Sequence, residues 1–385
     1  MEGAVRRAWK GWVAAAVVGG APAALAATVV EPRAKVTLEE RYDDDFRLNA
    51  GGTGGQFMTK LTPRLGLEVK DPSLTLESFY ATDLLLRHGS GRLTMDHRGG
   101  LSVRKLLSRR LRVEVSGSLY RVTDPTSLPR ESVARAAQPV LYGQTRVYVS
   151  GRASRRVDVG AGYGMEGVKM LEGEHATGFV HTPFVEGWLR ATRRLSLGAE
   201  YRYQAFLFGD ELDQAHGVVA ALRYRLTRQM TFTGRAGPVS YVGADGTRGL
   251  LPRVKLEVLH EAGRFDMGFV AGHDLVGASG FTNALWADYA GLVFNQHFTH
   301  RLSMYGAASF FRNGRAPNEG AFTLGGAERV AQGYALGAGL EFKVNEYMSV
   351  QGAVDRIAQV GAGGAAADVG LTRNVAAVRL HMIGW

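Results

Sequence analysis

A short motif recurs along the whole chain: two apolar residues separated by one other, often set directly after a polar turn. It stands at Val36-Thr37-Leu38, Leu74-Thr75-Leu76, Leu111-Arg112-Val113, Val157-Asp158-Val159 and Leu195-Ser196-Leu197. It continues at Met230-Thr231-Phe232, Phe265-Asp266-Met267, Leu302-Ser303-Met304 and Met348-Ser349-Val350. The starts lie 38, 37, 46, 38, 35, 35, 37 and 46 residues apart. Self-similarity at such a spacing marks one supersecondary unit repeated in series. Each interval has room for two strands of about twelve residues, one short turn and one longer loop, the proportions of a membrane-crossing hairpin. Nine hairpins make eighteen strands.

Strand length supports the same reading. Phe57, Thr59, Leu61, Pro63, Leu65, Leu67 and Val69 share one face of an unbroken alternation, and Met58, Lys60, Thr62, Arg64, Gly66 and Glu68 share the other. That stretch exceeds the usual globular strand of about five or six residues and suits a tilted span of about 9–11. Composition agrees with β structure: 51 glycines, 17 phenylalanines and 14 tyrosines, with few helical patterns. No run of 18 apolar residues follows the N-terminal segment, so membrane-crossing helices are excluded. The fold expected is all-β: a single antiparallel up-and-down barrel of about 18 strands with both termini periplasmic.

The N-terminus reads as an export signal. Arg6, Arg7 and Lys10 precede an apolar run to about Leu25, and Ala24-Leu25-Ala26 offers a small-residue cleavage site. Residues 1–26 are therefore expected to be a cleaved signal peptide, 27–33 a short periplasmic segment, and 34–385 the barrel. The absence of cysteine excludes disulfides and thiolate metal sites. The net charge of +10, which loss of the leader lowers only slightly, points toward anionic lipid or glycan rather than nucleic acid in an exported protein. The location expected is the outer membrane of a Gram-negative cell. Partners there are lipid and lipopolysaccharide, and the barrel-assembly machinery during insertion.

Alternation sorts the faces. Leu195, Leu197, Ala199, Tyr201 and Tyr203 read as outward, as do Tyr334, Leu336, Ala338, Leu340 and Phe342. The lumen is expected to receive Lys60, Arg64, Arg112, Arg146, Arg202, Arg223, Arg225, Arg235, Arg253 and Lys255, with Tyr120 and Tyr148. Fewer acids read as inward: Glu68, Glu114, Glu200, Glu257 and Glu341. A basic lumen favours anions and donates hydrogen bonds to hydroxyl-rich polymers; arginines on barrel interiors also simply pair with acids on neighbouring strands. Tyr120 and Tyr148 suit stacking on sugar rings or packing against each other. Residues 177–189 and 283–293 settle on neither parity. The longest loops fall at 124–138 and 313–328, where they either constrict the pore or reach outward.

Catalysis is not expected. His273-Asp274, and Asp210-Glu211 with Asp213 and His216, are ordinary loop-end polar groups, and no Gly-x-Ser-x-Gly motif occurs. No cofactor or metal is called for. Asp43-Asp44-Asp45 has the chemistry to collect calcium, but successive strand residues point opposite ways, so a solvated charge cluster is the expectation. No periplasmic repeat domain or plug is expected before the barrel, which argues against barrel-assembly and gated-transporter classes.

The first hairpin carries a resemblance. Leu38-Glu39-Glu40-Arg41-Tyr42-Asp43-Asp44-Asp45-Phe46-Arg47-Leu48, followed by Thr62-Pro63-Arg64-Leu65-Gly66-Leu67, resembles the outer-membrane barrels associated with exopolysaccharide systems. In that family a Tyr-x-Asp-Asn-like signature precedes a Pro-x-Leu run; Tyr42 and Asp44 match, while Asp45 stands where asparagine is usual. The resemblance implies an exit channel for a secreted polysaccharide, working with a periplasmic export protein docked on the short turns. The alternatives are a general diffusion or anion-selective porin, and a structural barrel with a plugged lumen.

The last strand closes the expected barrel against Val36–Leu48. Its apolar stripe falls on Ala376, Val378, Leu380 and Met382, while Trp385 stands on the opposite parity. A bulge near 382–384 is required to bring Trp385 onto the lipid face; otherwise it looks inward.

Overall fold

The computed structural model describes residues 28–45, 54–124, 139–172, 177–277, 284–315, 329–361 and 371–384. The expected signal peptide, most of the two longest loops and Trp385 lie outside them. Eighteen strands follow one another: β1 (Val29–Asp43), β2 (Gln56–Asp71), β3 (Leu74–Arg87), β4 (Leu93–Leu106), β5 (Leu111–Val122), β6 (Val140–Arg152), β7 (Val157–Met170), β8 (Gly178–Arg190) and β9 (Leu195–Phe208). They continue as β10 (Glu211–Arg225), β11 (Met230–Val242), β12 (Arg248–Glu261), β13 (Phe265–Gly277), β14 (Ala284–His297), β15 (Leu302–Arg315), β16 (Arg329–Lys343), β17 (Met348–Gly361) and β18 (Leu371–Gly384). Every strand is antiparallel to its chain neighbours, and β1 also pairs with β18 from Ala34↔Gly384 to Asp43↔Val375. The sheet is a closed barrel.

Closure follows from the alternation. Register carries one face from strand to strand: Glu39 opposes Lys60, Glu68 opposes Glu77, and Glu114 opposes Tyr148 on the inside. Leu38 opposes Leu61 on the outside, where large apolar side chains such as Leu65 and Val378 are 65% and 59% exposed. A sheet with an apolar exterior satisfies its backbone in hydrocarbon only when it closes, and barrels of this kind belong to outer membranes.

β1 opens at Val29, inside the stretch read as a periplasmic segment, because Val29 already pairs with Lys70 of the long β2. The ladder through β18 is regular as far as Gly384. The bulge considered near 382–384 is thus not present up to that residue, and Ile383 lines the lumen.

Eight connections at the rim holding the termini are two to four residues long, and five of them share one chemistry. The Ser108 hydroxyl accepts from the backbone N–H of Arg110 and Leu111 at 3.2 and 3.1 Å. Ser154, Thr192, Thr227 and Thr299 repeat this with their own second and third neighbours. A hydroxyl that replaces a backbone acceptor in this way is what makes Ser and Thr turn formers. The opposite rim carries the longer connections, with one exception: β9 and β10 are joined by Gly209-Asp210 alone. There the φ of Gly209 is +60°, which a glycine adopts without steric cost.

The acidic run is not solvated. Asp43 is fully buried and Asp45 nearly so. The Arg373 Nε donates to both oxygens of Asp43 at 2.9 and 3.1 Å, and its Nη2 donates to one of them as well. Asp44 instead accepts from the Asn374 backbone N–H at 2.6 Å and from its side-chain amide. The run is divided among partners on β18 because its side chains alternate, and it serves the closing seam.

Candidate functional site: an arginine-lined lumen

The wall bends inward at one place. The β12–β13 ladder stops at Val254↔His273, while the β13–β14 ladder runs on to Gly277↔Ala284. The hairpin end so released crosses into the lumen. Leu275, Ala284 and Trp286 pack with Val180, Phe206, Phe208, Ala215, Val239, Tyr241 and Leu251 of the facing wall in one apolar cluster. Polar contacts help to seat it: the Ala284 N–H donates to Asp213 Oδ2 at 3.1 Å, and Gln204 Nε2 donates to the Leu275 carbonyl at 3.4 Å. The ambiguous parities have their cause here. On β8, Val180, Phe184 and Trp188 are large apolar residues facing inward. On β14, residues 284–287 are buried on both parities because that end lies inside the barrel.

Beside the hairpin remains a cavity of about 1220 Å³, lined among others by Arg64, Phe79, Tyr120, Arg146, Phe184 and Arg202. All ten basic residues expected in the lumen share the inward register. Six are paired with acids: Lys60 with Asp83 at 3.3 Å, Arg112 with Glu114 at 3.1 Å, Lys255 with Glu257 at 2.7 Å, and Arg202, Arg235 and Arg253 around Glu200 at 2.7, 3.6 and 3.6 Å. Arg253 also meets Asp274 at 2.8 Å. Sequence reading undercounted the acids: Glu39, Asp43, Asp83 and Asp274 are inward too, so much of the lumenal charge is neutralised.

The remaining four, Arg64, Arg146, Arg223 and Arg225, are exposed to the lumen and meet no carboxylate among the described residues. Three of them share an arrangement of arginine on aromatic ring on glycine. The Arg64 guanidinium lies 4.0 Å from the Phe79 centroid, and the ring covers Gly100, where a Cβ would come within 2.4 Å of it. Arg146 lies 5.2 Å from Phe184, whose ring covers Gly162 with the same 2.4 Å approach. Arg223 lies 4.5 Å from Trp188 over Gly198, where a Cβ would meet the indole at 2.8 Å. The missing side chain lets each ring lie against the wall, and the ring's negative face holds the cation by about 0.5–2 kcal/mol. A guanidinium held by a ring keeps its charge and its donors for a solute; one held by a carboxylate does not. Tyr120 and Tyr148 do not pack on each other. Tyr120 meets Tyr142 at 6.1 Å, and Tyr148 stacks on Phe184 at 5.9 Å.

The rings and glycines were missed by sequence reading, which sorted inward residues by charge. The usable signal was aromatic residues on inward parity: Phe79, Phe184 and Trp188. The two family-motif residues do not reach the lumen. Tyr42 packs outward against Phe57 at 5.1 Å, and Asp44 is held by Asn374. His273, on the outward register, meets Asp288 at 2.6 Å, while the neighbouring Asp274 faces Arg253.

No protein-family model matches the chain, and no curated protein matches it in sequence. Solved structures similar to it include Pseudomonas aeruginosa OccK7 (OpdD), at 8% identity and a TM-score of 0.46, covering 92% of this chain and 98% of that one. Pseudomonas aeruginosa OccK2 (OpdF) in complex with glucuronate gives 10% identity, a TM-score of 0.44, and 92% and 98% coverage. Acinetobacter baumannii OccAB4 gives 10% identity, a TM-score of 0.42, and 92% and 98% coverage. At these values the likeness says nothing of what this chain passes; its fold rests on its own strand ladder.

Proposed function

We propose that this chain is an outer-membrane porin that conducts small anionic solutes, with its short-turn rim in the periplasm. The observation that carries the reading is the set of three arginines seated on rings rather than on carboxylates. Two of them, Arg64 and Arg146, face one cavity. A solute carboxylate or phosphate entering there meets donors without having to break an ion pair, while the paired cations give the wall its polar lining. The inward hairpin narrows the passage, so passage of small solutes is favoured over free flow.

A polysaccharide exit, the role implied by the sequence resemblance, has weaker support. Tyr42 and Asp44 carry that resemblance, and both are engaged in the wall. A periplasmic export partner has no site in this reading.

Planar-bilayer recordings test the proposal. Under a salt gradient the reversal potential is expected to report anion preference, and the triple variant Arg64→Gln, Arg146→Gln, Arg223→Gln is expected to lose most of it. An unselective wild-type pore, or an unchanged triple variant, would overturn the proposal, and an absence of conductance would indicate a plugged barrel.

A further inference from the structure

The short turns pose a question that conduction does not answer. The backbone of five of them is held by the Ser and Thr hydroxyls described above, and these need no particular neighbour. Yet three consecutive turns at this rim carry arginine pairs, Arg109-Arg110, Arg155-Arg156 and Arg193-Arg194, and the next three each carry one arginine. All are exposed, and none meets a carboxylate among the described residues. No acid occurs within these six turns. Beside the arginines stand exposed apolar residues: Leu107 at 58%, Leu226 at 44% and Phe298 at 50%.

From this we infer that the short-turn rim is a collar for the anionic phospholipid head groups of the leaflet in which it lies. The inference rests on the membrane reading above. Apolar and cationic residues side by side at the end of an apolar wall match the boundary between acyl chain and phosphate. Arginine donates bidentate, charge-assisted hydrogen bonds to a phosphate, and basic residues at a membrane surface attract anionic lipid. The arc decides the partner. It runs through six successive hairpin turns, from the one joining β4 and β5 to the one joining β14 and β15. A leaflet surrounds a barrel in this way, whereas a docked protein occupies one sector. The gap in the collar is at the closing seam, where the turns Pro72-Ser73 and Val344-Asn345-Glu346-Tyr347 have no arginine.

The test uses the full barrel in phosphatidylcholine vesicles containing a minor fraction of phosphatidylglycerol. Electron spin resonance of spin-labelled lipid measures the motionally restricted fraction around the protein. Phosphatidylglycerol is expected to be enriched over phosphatidylcholine on the order of fivefold, the factor given by one well-placed cation, and the enrichment is expected to fall with salt. Replacing all six paired arginines by glutamine is expected to remove most of it, with folding checked by heat-modifiable mobility. Should that variant not fold, R155Q/R156Q replaces it and is expected to lose a part. Equal restriction of both lipids by the wild type, or full enrichment in a folded variant, overturns the collar. So does capture of a soluble acidic polypeptide in place of lipid. Failure of the wild type to insert into vesicles is a different outcome and overturns the membrane reading itself.

Discussion

Asp43 and Arg373 join the first strand of the barrel to the last through three hydrogen bonds, and neither side chain is more than 3% exposed. Arg373 also donates to Asp124 Oδ2 at 2.7 Å, which ties the end of β5 to the same point. Removing Arg373 takes all three bonds from the buried Asp43 and leaves it the Arg41 guanidinium at 3.8 Å, a loss approaching the ~3–5 kcal/mol of a broken buried pair. Arg373→Ala is therefore expected to lower the midpoint of urea unfolding in micelles sharply. The double variant Asp43→Leu, Arg373→Met is expected to recover most of the loss, since replacing both charges by apolar groups is often neutral. A single variant within 1 kcal/mol of the wild type, on the same scale, would remove the pair from any part in closure.

Glu200 is shared by three arginines and is 4% exposed. Glu200→Gln takes away the one carboxylate common to Arg202, Arg235 and Arg253 and leaves Asp274 and Glu257 as their acids. Anion selectivity, read as a reversal potential, is expected to rise. A shift toward cations would show that these arginines are closed to solutes.

The inward hairpin rests on apolar contact and close approach. A Cβ at Gly277 would come within 2.3 Å of Val180 Cγ2, so Gly277→Leu is expected to push the hairpin off the wall. Trp286→Ala removes its largest apolar anchor, in a class of substitution that costs about 3–5 kcal/mol. Single-channel conductance is expected to increase in both variants while the barrel still migrates as folded. Wild-type conductance in both would mean that the hairpin does not narrow the path.

In the loop between β11 and β12, the Thr247 hydroxyl and backbone N–H donate to Asp245 Oδ1 at 2.7 and 2.9 Å. These bonds hold the Asp245 carboxyl below the ordinary aspartate range. A depressed folded pKa stabilises the loop above the unfolded value of about 3.9 and ceases to do so as pH falls through the folded value. In an NMR titration the Thr247 amide resonance is expected to move below the ordinary range, and Thr247→Val is expected to bring the Asp245 midpoint up. A midpoint at the ordinary value in the wild type would contradict this.

The barrel was legible because period and parity are properties of the chain itself. Leu74, Leu111, Val157, Leu195, Met230, Phe265, Leu302 and Met348 were picked from the repeat, and each is the first residue of a strand. The cations sorted by parity share one register through the ladders. Parity could not tell which of them are neutralised, because Lys60 meets Asp83 two residues from its register partner Leu85, and Arg253 meets Asp274 just past the end of the β12–β13 ladder. Nor does a period register a strand that leaves the wall, which is why β14 resisted assignment. Prolines were the unread signal. Pro63, Pro183 and Pro238 each stand at a gap in a neighbouring ladder, between Leu61↔Leu84 and Arg64↔Ala81, between His181↔Ala205 and Phe184↔Arg202, and between Gly217↔Val239 and Ala220↔Ala236.

The departure of β13 leaves β12 from Arg248 to Arg253 with no described partner on that side, an open edge within a closed sheet. Such an edge is a template for a foreign strand. Pro252 lies in it, opposite Pro238 of β11. Two facing prolines have no N–H to exchange, so they form a non-hydrogen-bonded pair, and the position where Pro252 lacks its donor is turned to the open side. At that position an incoming chain finds nothing to accept from. The slit that the hairpin opens in the wall is thereby one donor poorer as a template for a strand of another molecule.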